Sequence, residues 1–293
     1  MKAHRLLLAC LYMSSAWAGA AWSQGAPVAY DSFSAATLSA KKWRTWESLR
    51  TVEAGKLRML HRAHGSLGSA EGGHWEGRGH FFPEASRLTA IRATIRVDRA
   101  EATGCLGNPA GTAAMARIAG DFFNFGTPTA GSAAGDVLAD IRIERRSDSG
   151  DPANTLRVVA QIYRCDDAGC LSGESLGRKD LGTVKLRQAT TLGIEWDRAR
   201  HRFLFQRDAQ PKVILAYTGT DTAPPGRINK ALLVEHFVAN CAAGQRPTAL
   251  MDTSFDDVFV NPAAANPQLL EARASEKKGG ASGSGGGAQV VEN

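Results

Sequence analysis

The sequence predicts an all-β chain folded as an antiparallel β-sandwich. Short runs of alternating apolar and polar residues recur through its middle, as strands with one buried face require. Clusters of Gly, Pro, Asn and Asp separate these runs at sandwich-like spacing. Asn229 to Ala239 is the one stretch that reads equally as a short helix or a strand.

The elements follow in order. Lys2, His4 and Arg5 precede an apolar stretch from Leu6 to Trp17, and small residues follow at Ala16-Trp17-Ala18 and Ala18-Gly19-Ala20. That pattern reads as a signal peptide over 1–23, too short to span a bilayer as a helix. Leu7-Leu8-Ala9-Cys10 loosely resembles a lipobox but leaves little apolar length before Cys10. No later stretch is long and apolar enough for another span, so no membrane segment is expected once the signal is removed.

Leu88 to Val97 alternates, with Ile91, Ile95 and Val97 on one side and Arg92, Thr94 and Arg96 on the other. Ala114 to Phe125 is a mostly apolar run broken by Arg117 and Gly120-Asp121. In Val137 to Arg145, Ile141 and Ile143 face one way and Asp140, Arg142 and Glu144 the other. Leu156 to Arg164 and Thr183 to Arg187 come next. Thr190 to Trp196 and His201 to Arg207 make a hairpin with Phe203 and Phe205 inward, and Lys212 to Tyr217 adds a third strand. From about Gln268 the chain turns to Gly and Ser with few apolar residues. The boundaries expected are therefore a signal at 1–23, one sandwich domain over 24–267, and a flexible tail over 268–293.

Without the signal four cysteines remain, and an even number in an exported chain suggests two disulfides. Cys165 and Cys170 flank a hairpin tip, and pairing them leaves Cys105 with Cys241. A zinc site is the rival reading, though the spacings fit no zinc ribbon. The long bridge is worth roughly 4–5 kcal/mol in the chain-entropy model. The formal charge is +6, of which Lys2 and Arg5 belong to the signal. Acidic residues are interleaved with the basic ones, which argues against a nucleic-acid partner.

Ala29-Tyr30-Asp31-Ser32-Phe33-Ser34, Lys42-Trp43, Val52 to Leu60, and Thr253-Ser254-Phe255-Asp256-Asp257-Val258-Phe259-Val260 resemble the first and last strands of secreted bacterial concanavalin A-like (laminin-G-like) jelly rolls. "LGIEWDRARHRFLFQRD" resembles their back-sheet hairpin. The resemblance covers about Tyr30 to Asn261 and rests on the order of weak motifs. It implies a concanavalin A-like jelly roll. It also implies a structural calcium where the ends meet, with Asp31 and Asp256 as ligands and Asp257 beside them; turn capping is the alternative.

Family 16 glycoside hydrolases share this fold and carry Glu-x-Asp-x-Glu on one strand. Here Asp140-Ile141-Arg142-Ile143-Glu144 stands in similar register, with arginine in the middle. A guanidinium there pairs with both carboxylates, which spoils a general acid. Backbone rise separates the outer two by about 13 Å, outside hydrolase geometry. The same face can bind instead. Arg142, Glu144, Gln161 and Tyr163 project from neighbouring strands and offer planar polar groups and a ring. The alternative is a solvated face of cross-strand ion pairs. Trp75 stands between His74 and His80 in a glycine-rich loop or bulged edge; the three either grip a sugar or a metal, or Trp75 plugs the core.

The expected function is that of an exported, periplasmic or extracellular monomer that binds glycan or cell-envelope polymer without catalysis, with anionic polymers favoured by its arginines. Alternatives are a polysaccharide hydrolase or lyase, with Tyr163 or a histidine as base, and a purely structural envelope or adhesion protein. These expectations rest mainly on fold analogy.

Overall fold

The computed structural model describes residues 46–261. The signal at 1–23, Cys10, the Ala29–Ser34 and Lys42–Trp43 motifs, Asp31 and the tail at 268–293 lie outside the described residues. Thirteen strands run through the described part: β1 (Trp46–Glu53), β2 (Lys56–His64), β3 (Gly73–Phe81), β4 (Ala90–Ala102), β5 (Ala113–Asn124), β6 (Asp136–Arg146), β7 (Thr155–Cys165), β8 (Gly173–Lys185), β9 (Ala189–Asp197), β10 (Arg202–Arg207), β11 (Val213–Ala216), β12 (Lys230–Ala239) and β13 (Thr248–Val260).

They form two sheets, β1-β2-β13-β4-β9-β10-β11 and β3-β12-β5-β6-β7-β8. Their pairings are antiparallel throughout. The chain changes sheet repeatedly, so early and late strands become neighbours. β13 lies between β2 and β4, with Leu57 opposite Phe255. This is the antiparallel jelly-roll sandwich that the sequence predicts.

Alternation explains the core. On β4, Ile91, Ala93, Ile95 and Val97 are buried while the intervening Arg92, Thr94 and Arg96 are not. They meet Ile118, Ile141, Ile143, Leu156, Val158 and Ile162 from the facing sheet. Phe203 and Phe205 enter the same core, as the hairpin pattern requires, and Phe123 stacks near Trp196. Close packing of such branched and aromatic groups is what holds two sheets face to face.

Several boundaries differ from the expectation. Asn229 to Ala239 resolves as strand β12, because its buried side chains alternate with half-buried ones through Val234, His236 and Val238. Glycine-rich 73–81 is a regular edge strand rather than a loop, paired residue for residue with β12. The apolar run at Ala114 is unbroken: Arg117 and Asp121 sit on the outward face, and the ladder absorbs one irregularity after Asp121. β8 begins at Gly173, well before the apolar signal at Val184, since most of its side chains are exposed or half-buried and carry no alternation.

Both expected disulfides are present, Cys105–Cys241 and Cys165–Cys170, with Cα atoms 5.4 and 4.8 Å apart. The first joins the loop after β4 to the segment after β12, and the second staples the β7–β8 hairpin.

Candidate functional site

On the β3-to-β8 sheet, period-two geometry sends one set of side chains into the core and the other to the outer face. The outer set brings Glu235, Arg117, Asp140, Arg142, Glu144 and Arg178 into one zigzag across four strands. Arg117 bonds Glu235 at 2.6 Å and Asp140 at 2.9 Å. Arg142 donates to Asp140 at 2.7 Å and to Glu144 at 2.8 Å. Glu144 accepts a further bond from Arg178 at 3.1 Å. Signs alternate along the whole row.

This corrects two expectations. The face is not solvated at its centre: Asp140, Arg142 and Glu144 are 3, 6 and 2 % exposed. Asp140 and Glu144 also approach each other more closely than their backbone rise suggests, because both lean onto one guanidinium. That approach does not make a hydrolase pair. Both oxygens of each carboxylate are engaged by arginine. Burial works against the charge on Arg142, but Asp140 and Glu144 outweigh it and raise its pKa above the ordinary value.

Beside this row lies an open depression of about 360 Å³. Trp75, Arg142, Glu144, Gln161 and Tyr163 all line it, so the five predicted ligand-binding residues come together. Gln161 Oε1 accepts two bonds from Arg142, both 3.1 Å. Its amide N–H groups are what it offers a ligand. Trp75 is 43 % exposed and packs edge-on against Phe237 rather than plugging the core. Gly73 permits this support, since a Cβ there would stand 2.5 Å from Phe237 Cζ. Gly173 does the same for Tyr163, whose Cε1 would lie 2.6 Å from an added Cβ. Burial pushes the Tyr163 hydroxyl up, with Asp166 and Asp167 adding to the shift, so at neutral pH it is protonated and can donate a hydrogen bond.

Residues the sequence reading missed complete the site. Arg146 and Arg178 line the depression from β6 and β8, and Met115 and Phe237 supply apolar floor. Their membership depends on register across strands, which a single strand's pattern does not reveal. A smaller depression of about 140 Å³ lies on the same sheet and includes Phe81, Arg117, Asp121, Arg227 and Glu235. Asp121 is 1 % exposed, and burial pushes its carboxyl up to about 6 despite hydrogen bonds from Arg227.

Of the predicted calcium ligands, Asp256 forms an ion pair with Lys56 at 3.4 Å; Asp31 lies outside the described residues. Among the described residues no group of three or more His, Cys, Asp or Glu is placed to hold a metal, and no helix is long and apolar enough to cross a membrane.

No protein-family model and no curated protein matches the chain. Solved structures with a similar fold include a glycoside hydrolase family 16 endo-glucanase from Bacteroides ovatus. It is 11 % identical with a TM-score of 0.36, covering 73 % of this chain and 85 % of that one. An alginate lyase from Klebsiella pneumoniae is 10 % identical with a TM-score of 0.33, covering 78 and 88 %. A Bacillus licheniformis β-glucanase is 10 % identical with a TM-score of 0.28, covering 73 and 92 %. Likeness this distant says nothing about what this chain does.

Proposed function

We propose that this chain is an exported, monomeric β-sandwich that binds a glycan or cell-envelope polymer in the Trp75–Tyr163 depression without catalysis of its own. One observation carries the reading. Three rings and three arginines line one open depression whose acidic group, Glu144, already has both oxygens engaged by arginine. Rings suit a sugar's apolar face, and planar donors suit its hydroxyl and carboxylate groups. Arg146 and Arg178 keep 32 and 47 % of their side-chain surface exposed, which favours an anionic polymer. Export is supported by the signal-like start and the two disulfides.

The test is a polysaccharide array probed with the purified chain, including neutral and uronic-acid polymers, with product analysis on each hit. Binding should favour uronic polymers and fall at least tenfold in Trp75→Ala, while the melting temperature of that variant stays within a few degrees. Silence on every polymer would overturn the reading and leave the structural role.

A second reading, a polysaccharide-active enzyme, has one observation in its favour. Asp121 is a carboxyl on the same sheet that burial pushes to about 6, the range a general acid needs near neutrality. Turnover on any array hit, lost in Asp121→Asn, would establish it over simple binding.

A further inference from the structure

His61 on β2 and His236 on β12 belong to opposite sheets, yet their rings stack inside the core. The centroids are 4.7 Å apart and the planes 10° from parallel. The residues are 1 and 0 % exposed. His236 Nε2 donates to the His61 carbonyl oxygen at 3.0 Å. His61 Nδ1 and Nε2 and His236 Nδ1 have no hydrogen-bond partner among the described residues.

Their charged surroundings are few. Arg78 on β3 places a positive field at His61. Glu76 on β3 is the register partner of His236. Arg50 on β1 and Arg78 line a cavity of about 240 Å³ beside His61. From β13 and β5 the residues opposite are Met251 and Ala114, which do not titrate. A neutral pair suits this buried, stacked setting; two imidazolium rings do not.

The position of His236 matters as much as its burial. Its chain neighbours point the other way, Glu235 to Arg117 and Phe237 to Trp75. A displacement of His236 is one peptide unit from each.

We propose that the His61–His236 stack is an acid-sensitive latch between the sheets, and that protonating it loosens the β3–β12 edge carrying Trp75 and Phe237. Its consequence for ligand release rests on the binding reading above, but the latch itself does not. Burial holds His236 at about 4 and, with the charges of His236 and Arg78, His61 at about 3. Both lie below the ordinary histidine value, so an opened chain binds more protons than the closed one. Opening therefore grows easier as pH falls below 6.5, levels off only near 3, and is unchanged above about 7. Exposing His236 alone favours opening roughly thirty-fold at pH 5 relative to pH 7.5.

Hydrogen–deuterium exchange on the full chain at pH 7.5 and 5.0, corrected for intrinsic rates, reads this directly. Protection should fall about tenfold or more across 56–64, 73–81 and 230–239 at pH 5, while 136–165 keeps its protection. His61→Phe preserves a stacked ring and should remove at least half of the logarithmic loss. Equal protection at both pH values, a uniform loss over both sheets, or an unchanged loss in His61→Phe would each overturn the latch. If His61→Phe does not fold, the pattern in the unmodified chain alone decides between those outcomes. A latch that responds while the array stays silent would leave the latch standing and remove only the glycan reading.

Discussion

Arg142→Met tests whether the charged row is a dry, paired structure. Arg142 donates to Asp140 at 2.7 and 2.9 Å, to Glu144 at 2.8 Å and to Gln161 twice at 3.1 Å. Methionine matches its stem but leaves two buried carboxylates short of a partner. Breaking a buried pair from one side costs about 3–5 kcal/mol. Asp140 keeps Arg117 and Glu144 keeps Arg178, so the lower end of that range applies. For a domain of this size about 3 kcal/mol lowers the melting temperature by roughly 6–12 °C. The companion variant, Asp140→Asn with Arg142→Met and Glu144→Gln, removes the stranded charges and should recover more than half of that loss. Thermal denaturation of both variants is the assay. A melting temperature for Arg142→Met within about 2 °C of the unmodified chain, or a triple variant less stable than the single one, would refute the reasoning.

The two disulfides should differ sharply. Their sequence separations are 136 and 5 residues. Chain entropy then assigns about 5 kcal/mol to Cys105–Cys241 and about 2 kcal/mol to Cys165–Cys170. Paired Cys→Ala replacements followed by urea denaturation should rank them in that order, and an inverted ranking would contradict it. Calcium held by Asp31 and Asp256 remains a proposal. It predicts that EDTA lowers the melting temperature and that excess calcium restores it; identical melting curves would dismiss it.

Strand positions were legible in most strands with one buried face, though not in β12, whose stretch read equally as a helix. Ile91, Ile95, Ile141, Ile143, Phe203 and Phe205 all enter the core from the side that their alternation assigns. β3 and β8 were not legible, because an edge strand with glycines or mostly exposed side chains shows no such contrast. The candidate site was legible in part. Arg142, Glu144, Gln161, Tyr163 and Trp75 bear chemistry that stands out locally, and all five line one depression.

By itself, the order of residues determined which face of each well-patterned strand meets the core, since side-chain period is a local property of backbone geometry. It also determined which cysteines stand ready to pair. Only the tertiary structure decided that Glu235, Arg117 and Arg178 extend the Asp140–Arg142–Glu144 row, and that His61 meets His236 across the core. Those contacts join residues distant in the chain. They depend on strand order, register and sheet stacking, which no single strand's pattern specifies.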